Sequence, residues 1–144
     1  MDIGVNRVLL VEDDADSAEA SEVLFRYWGY DVMVARRADE GLAMALSRHP
    51  DAIVLDLGLP TFDDGCAFVR ALRAQCGALT LLVAVTGHGR EIDRRRAVEA
   101  GCDYFFAKPA DLDELKDALS GAPTHVRKGP HVVRQASFKK AAES

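Results

Sequence analysis

The sequence predicts an α/β fold in which a parallel sheet carries helices on both faces. Apolar runs of strand length alternate five times with stretches whose apolar residues recur at helical spacing. Strands that each lead into a helix need crossovers, and right-handed crossovers give parallel pairing with helices on the faces. The third run, Ile53-Val54-Leu55, leads into Asp56 and then turns at Gly58 and Pro60. That holds a carboxylate outside a strand's carboxyl end, the side on which open α/β sheets bind ligands. Three other strand ends carry polar residues suited to act on Asp56: Glu12 with Asp13, then Thr86, then Lys108.

Arg7-Val8-Leu9-Leu10-Val11 is the first strand, closed by Glu12-Asp13-Asp14. From Asp14 the period changes, and Ala20, Val23, Leu24, Tyr27 and Trp28 form the expected inner face of a helix ended by Gly29. Tyr30 to Ala35 is a second strand, and Ala38 to Arg48 a helix with Leu42, Ala45 and Leu46 inward, stopped by His49-Pro50. Ala52 to Leu55 is the central strand, followed by a helix marked by Phe68, Val69 and Leu72 that runs up to Cys76-Gly77. Thr80 to Val85 is wholly apolar from Leu81, which suits a strand buried on both faces. After the loop Thr86-Gly87-His88-Gly89 comes a helix from about Arg90 to Ala100, capped by Gly101, and then a strand from Asp103 to Ala107. Asp111 and Glu114 resemble a capping box for a last helix striped by Leu112, Leu115 and Leu119.

At 144 residues the chain fits one domain of ordinary core size. Nothing approaches the roughly 18 apolar residues of a membrane span, and the start has no signal-peptide pattern, so the cytoplasm is the expected compartment and a membrane is not an expected partner. Cys66, Cys76 and Cys102 lack metal-ligand spacing and read as small buried or half-buried residues. From Gly121 on, Arg127, Lys128, Arg134, Lys139 and Lys140 face Glu143 alone, so the body is more acidic than the net charge of −5 states. An acidic body argues against nucleic acid, which needs a basic footprint. Residues 121–144 read as a basic tail with at most a short helix near Gln135 to Ala142. It is a solubilising end, a tether to a partner or anionic surface, or the start of a linker. Arg134-Gln135-Ala136-Ser137 resembles a basophilic kinase site, a short match of the kind that arises by chance.

Several carboxylates at one mouth repel each other unless a cation joins them. Glu12, Asp13 and Asp56 offer hard oxygen ligands, and a site with few carboxylates and room for water and phosphate suits magnesium, with manganese as a substitute, over zinc or a calcium cage. An aspartate beside such an ion can attack a phosphoryl group. Lys108 would hold one phosphoryl oxygen and the Thr86 hydroxyl another, while Gly87 leaves room for the group to enter. Each part has a bland reading as well: a helix cap, a turn, a surface lysine before a helix start, a solvated loop aspartate. The inference rests on all four falling at the ends of four strands on one edge.

Glu12-Asp13 after the first strand, Asp56 in Leu-Asp-Leu-Gly-Leu-Pro after the third, Thr86-Gly87 after the fourth and Lys108-Pro109 after the fifth resemble the receiver domain of two-component response regulators. The likeness covers about residues 5 to 120, in order and spacing. It implies a flavodoxin-like doubly wound sheet with strand order 2-1-3-4-5, and a single-domain phosphorylation switch in place of an enzyme. By the same resemblance Asp56 takes a phosphoryl group from a histidine kinase or histidine phosphotransfer protein, and Asp13, Asp56 and the Gly58 carbonyl, with Glu12 through water, hold magnesium. Lys108 and Thr86 bind phosphoryl oxygens, Gly87 lies beside them, and the Lys108-Pro109 bond is expected to be cis. Movement of Thr86, with Phe105 turning inward behind it, would alter the surface of the fourth helix, fifth strand and fifth helix. That surface would meet an unidentified downstream protein or, after phosphorylation, a second copy of the chain. Phe105 also reads simply as core.

The loop Thr61-Phe62-Asp63-Asp64-Gly65 is one residue longer than the family pattern before its glycine, which bears on where the third helix starts. Gly58 has no side chain to orient a water, and His88 sits two residues past Thr86, which implies a phosphoryl aspartate that is not unusually short-lived. Arg90, Arg94, Arg95 and Arg96 form a basic run that is either a solvated face with pairs such as Glu91 with Arg95 or a docking surface. Ala15, Ala18 and Glu19 near Asp13 would meet the phosphodonor. Two rival readings stand beside this one: a pseudo-receiver with a silent site, and a phosphatase of the haloacid dehalogenase type, which wants a second aspartate where this chain has Gly58.

Overall fold

Four of the five residues of Arg7–Val11 are buried, and this run becomes β1 of a five-stranded sheet. In the computed structural model, which describes residues 5–58, 60–87 and 89–120, the order continues as α1 (Ala15–Tyr27), β2 (Asp31–Ala35), α2 (Ala38–Arg48), β3 (Ala52–Leu55) and α3 (Phe62–Cys76). β4 (Leu81–Thr86), α4 (Glu91–Ala100), β5 (Tyr104–Ala107) and α5 (Leu112–Leu119) complete it. All pairings are parallel and the strand order is β2-β1-β3-β4-β5. The tail from Gly121, with its expected short helix, and His88 lie outside the described residues.

The alternation of side chains along each strand splits the core in two. Leu9, Val11, Ile53, Leu55 and Phe105 face Phe68, Val69 and Leu72 of α3 and Ala97 of α4. Val8, Leu10, Val54, Val83, Tyr104 and Phe106 face Phe25 of α1 and Leu115 and Leu119 of α5. Each fully buried Leu or Phe stabilises the fold by about 1.5–3 kcal/mol relative to exposure, so both sheet faces contribute heavily.

Local signals set the helix ends. Asp14 accepts from the Ser17 amide at 2.9 Å, Thr61 from the Asp64 amide at 3.1 Å and Asp111 from the Glu114 amide at 3.0 Å, so three helices begin on side-chain caps. The extra residue after Asp56 is absorbed there, with Thr61 as cap and α3 starting at Phe62. α2 stops at His49, which takes a left-handed conformation at φ 52°.

The structure corrects the inner face expected for α1. Ala18 and Phe25 are buried, whereas Ala20 is exposed, Val23 is 62% exposed and Tyr27 85%. The inward line runs Ala18, Ser21, Phe25, Trp28, with Leu24 at its margin. Apolar residues occur in both phases of this helix, and packing of the Phe25 ring against the sheet decides between them. Leu46 and Leu112, expected inward, are 40% and 51% exposed, because the smaller Gly41 and Ala45 face the sheet in α2 and Leu115, Ala118 and Leu119 in α5. Thr86, expected in a loop, is the last residue of β4, paired with Ala107.

At the opposite edge from Asp56, Arg73 of α3 donates to the carbonyls of Gly77, Thr80 and Gly101 at 2.6–3.2 Å and to Asp103 at 2.9 Å. One side chain thereby ties the end of α3 to the starts of β4 and β5.

Candidate functional site

Strand order reverses between β1 and β3, and the residues leaving their carboxyl ends enter the crevice that this reversal opens. Val11 pairs with Leu55, so Glu12 and Asp56 emerge side by side. Thr86 pairs with Ala107, which puts Lys108 at the same edge, and the Lys108 amide donates to the Thr86 carbonyl at 2.8 Å.

Both Asp56 oxygens are engaged. The Gly58 amide donates to Oδ1 at 2.9 Å and the Lys108 ammonium to Oδ2 at 3.0 Å. Lys108 Nζ also lies 3.7 Å from Glu12 Oε1, so one cation links two of the acidic residues. Glu12 is buried and accepts from the Asp14 amide at 3.2 Å. Burial raises its pKa above the ordinary carboxyl value, and the charges of Asp56 and Asp13 add to this, while the Asp14 amide and Lys108 work against it. Burial opposes the Lys108 charge, but the hydrogen bond and charge of Asp56, with Glu12 behind them, outweigh it and raise that pKa too.

Asp13 is exposed at the rim beside these groups. Thr86 is fully buried, and Gly87 is exposed where an added Cβ would meet nothing within 4 Å, so the approach to the mouth is open. Phe105, expected to turn inward on activation, already stands buried in the core on the α3 and α4 side, 2% exposed, so no inward turn is left for it to make. The Lys108-Pro109 bond is cis, as expected. Behind the mouth a cavity of about 240 Å³ reaches between α1 and the sheet, lined by Glu12, Asp56 and Lys108 and further in by Ser17, Ser21 and Phe25.

A magnesium ion fits the donor chemistry. Among the described residues no three Asp, Glu, His or Cys side chains form a cage, which is unsuited to zinc and compatible with an ion that keeps several waters and takes one or two carboxylates. Glu12 and Asp56 already share one cation, the Lys108 ammonium, and oxygen donors of this kind are those a hard cation takes.

The α4 arginines are locally paired. Arg94 and Arg95 both reach Glu91, Arg90 reaches Asp93, and Arg96 meets Asp63 while its guanidinium lies 4.8 Å over the Phe62 ring. Arg90 and Arg95 are exposed, Arg94 is largely covered at 17% exposure, and Arg96 joins α4 to the start of α3. Cys66 and Cys102 are buried and Cys76 half-buried, all three as free thiols.

One polar residue at this edge carries no motif. Arg36, the residue after β2, donates from Nε to the Glu12 carbonyl at 2.9 Å and from its terminal nitrogen to the Asp13 carbonyl at 2.6 Å. The signal that would have found it is the sheet register, since Val11 pairs with Ala35 and the next residues, Glu12 and Arg36, must be neighbours.

A parallel sheet of order 2-1-3-4-5 with acidic residues and a lysine gathered at its carboxyl edge is the architecture of the receiver-domain class. The chain belongs to the response regulator receiver domain family, whose profile matches residues 8–120. It is 39% identical over 117 residues to the transcriptional regulatory protein PrrA of Mycobacterium tuberculosis, covering 80% of this chain and 49% of that protein. Thus the chain spans about half the length of the curated relatives it matches. It resembles the receiver domain of the sensor histidine kinase PA1611 of Pseudomonas aeruginosa, which has magnesium coordinated in its active-site cleft. The TM-score is 0.71 at 28% identity, covering 83% of this chain and 100% of that one. A response regulator of Burkholderia pseudomallei with a phosphorylated aspartic acid, calcium and citrate gives a TM-score of 0.74 at 25% identity, covering 96% and 73%. Family membership removes the dehalogenase-type alternative.

Proposed function

We propose that residues 5–120 act as a magnesium-dependent phosphoacceptor switch and that Asp56 is the acceptor. The observation that carries this reading is the Lys108 ammonium held between Asp56 and Glu12, with the Gly58 amide on the other Asp56 oxygen. A fixed positive charge and a backbone donor at the reacting carboxylate are what an incoming phosphoryl group needs. An Asp56 oxygen attacks phosphorus as the P–N bond to a phosphohistidine breaks, and the departing imidazole takes a proton from solvent.

Asp13, Asp56 and the Gly58 carbonyl, with Glu12 through water, would hold magnesium, which when bound neutralises charge between carboxylate and phosphate. Lys108 and the Thr86 hydroxyl bind the phosphoryl oxygens that then stand at the mouth, and Gly87 leaves their path open. Thr86 moving toward the phosphoryl group leaves the Phe105 ring in its buried position and shifts the α4-β5-α5 surface, where a downstream protein or a second copy would dock. A histidine kinase or histidine phosphotransfer protein is the donor, and with such a donor the cytoplasm is the compartment.

Intact-mass spectrometry after incubation with acetyl phosphate tests the reading, with and without magnesium, on the wild type and Asp56→Asn. The expected result is a base-labile phosphoryl adduct that needs magnesium and is absent from the variant. A folded wild type that forms no adduct would overturn it in favour of a silent pseudo-receiver.

A further inference from the structure

We propose that Arg36 is a positioning residue for the metal: its guanidinium clamps the backbone of the Glu12-Asp13 turn and so fixes the Asp13 carboxylate where a divalent cation binds. The inference rests on the magnesium-dependent reading above.

The helix ladder of α1 begins at Asp14, whose carbonyl accepts from the Ala18 amide at 2.9 Å. The carbonyls of Glu12 and Asp13 precede it and are left to other donors. Arg36 supplies two, through Nε at 2.9 Å and a terminal nitrogen at 2.6 Å, using the planar fork that sets guanidinium apart from ammonium. The root of the side chain is fixed as well, because the Arg36 amide donates to Glu40 Oε1 at 2.8 Å. The turn that carries Asp13 is therefore held from β2 and α2, two elements that contribute no ligand. Its neighbour Arg37 pairs with Asp39 at 2.8 Å.

Positioning and simple charge predict opposite outcomes. A positive charge beside a cation site repels the cation, so removing it without other consequence tightens binding. Removing the clamp loosens the ligand backbone and weakens binding, by about tenfold for a group that orients metal ligands.

The test is magnesium titration by isothermal calorimetry on the full chain and on Arg36→Met, Arg36→Lys and Arg37→Met, with the phosphorylation rate from acetyl phosphate measured at saturating magnesium. The expected result is a magnesium Kd raised about tenfold in both Arg36 variants, unchanged or lowered in Arg37→Met, and a rate at saturating metal within about twofold of wild type. Tighter or unchanged magnesium binding in Arg36→Met, or Arg36→Lys behaving as wild type, overturns the clamp while leaving the phosphoacceptor reading intact. A wild type that binds no magnesium overturns both. Arg36 is exposed, and a thermal midpoint close to wild type is expected for each variant.

Discussion

Lys108 donates a 3.0 Å hydrogen bond to Asp56 Oδ2 from a position 52 residues away in sequence. The contact exists because β3 and β5 flank β4 and end at the same edge, so it is a product of topology. In the phosphoacceptor reading this ammonium follows the charge as it moves from the carboxylate to the phosphoryl oxygens. Lys108→Met should slow adduct formation from acetyl phosphate by roughly a hundredfold, the order found on removing one preorganised donor to a developing charge. A change below about threefold, measured by the same mass assay at saturating magnesium, would reject that role.

Asp56 was legible because it is the first charged residue after a β-branched run and a turn follows at once. Glu12-Asp13 and Lys108 are likewise the first charged residues after apolar runs, and parallel pairing followed from the alternation, while the strand order came from the family resemblance. Three features were not legible, each for a physical reason. Thr86 is polar, and Gly87 after it marks a turn, yet the ladder continues because Thr86 has Ala107 as its partner. Val23 and Tyr27 are apolar residues on the phase of α1 that the Phe25 contact leaves outside. Arg36 makes its contacts through a long side chain to backbone oxygens, and no period or motif records such a pairing.

Gly65 sets how closely α3 approaches the loop that follows Asp56. A Cβ there would lie 2.0 Å from the Leu57 carbonyl oxygen, and Leu57 stands between Asp56 and Gly58. Since the obstacle is backbone, α3 or the loop must move. Gly65→Ala should destabilise the fold by about 1–3 kcal/mol, the range for overpacking, and slow phosphorylation as well. Gly87→Ala, with nothing within 4 Å of the new Cβ, should stay within about 0.5 kcal/mol of wild type in urea unfolding. Equal stabilities for the two variants would count against this account.

Glu12 gives the site a pH signature. Its folded pKa stands above the ordinary value of 4.5, chiefly through burial, so the folded state holds this proton more tightly than the unfolded chain does. By linkage its contribution to stability is most favourable below that value and falls as pH rises through the folded pKa. Asp14, Asp39 and Glu91 have lowered values and act in the opposite sense, so the whole-protein curve hides the effect. The difference between Glu12→Gln and wild type isolates it. In the presence of a chelator, the variant should gain stability relative to wild type as pH rises from 4.5 to neutrality. Millimolar magnesium should shrink that gain, because the cation offsets the carboxylate charge. A flat difference across this range in urea unfolding would contradict the argument.

Arg73 and Asp103 separate stability from the site. The pair is only 19% and 14% exposed, and Asp103 also accepts from the Leu82 amide at 3.0 Å while Arg73 satisfies the Gly77, Thr80 and Gly101 carbonyls. Truncating either partner leaves a largely buried charge uncompensated, which costs about 3–5 kcal/mol. Arg73→Ala strips donors from three carbonyls at once and should sit at the upper end, whereas Asp103→Asn keeps the shape and one acceptor and should cost less. The clasp closes the edge of the sheet remote from Asp56, so folded Asp103→Asn should take up phosphate at the wild-type rate. If that variant unfolds at the wild-type urea midpoint, the clasp is ornamental and the α3 terminus is held by the Leu72 and Val69 packing alone.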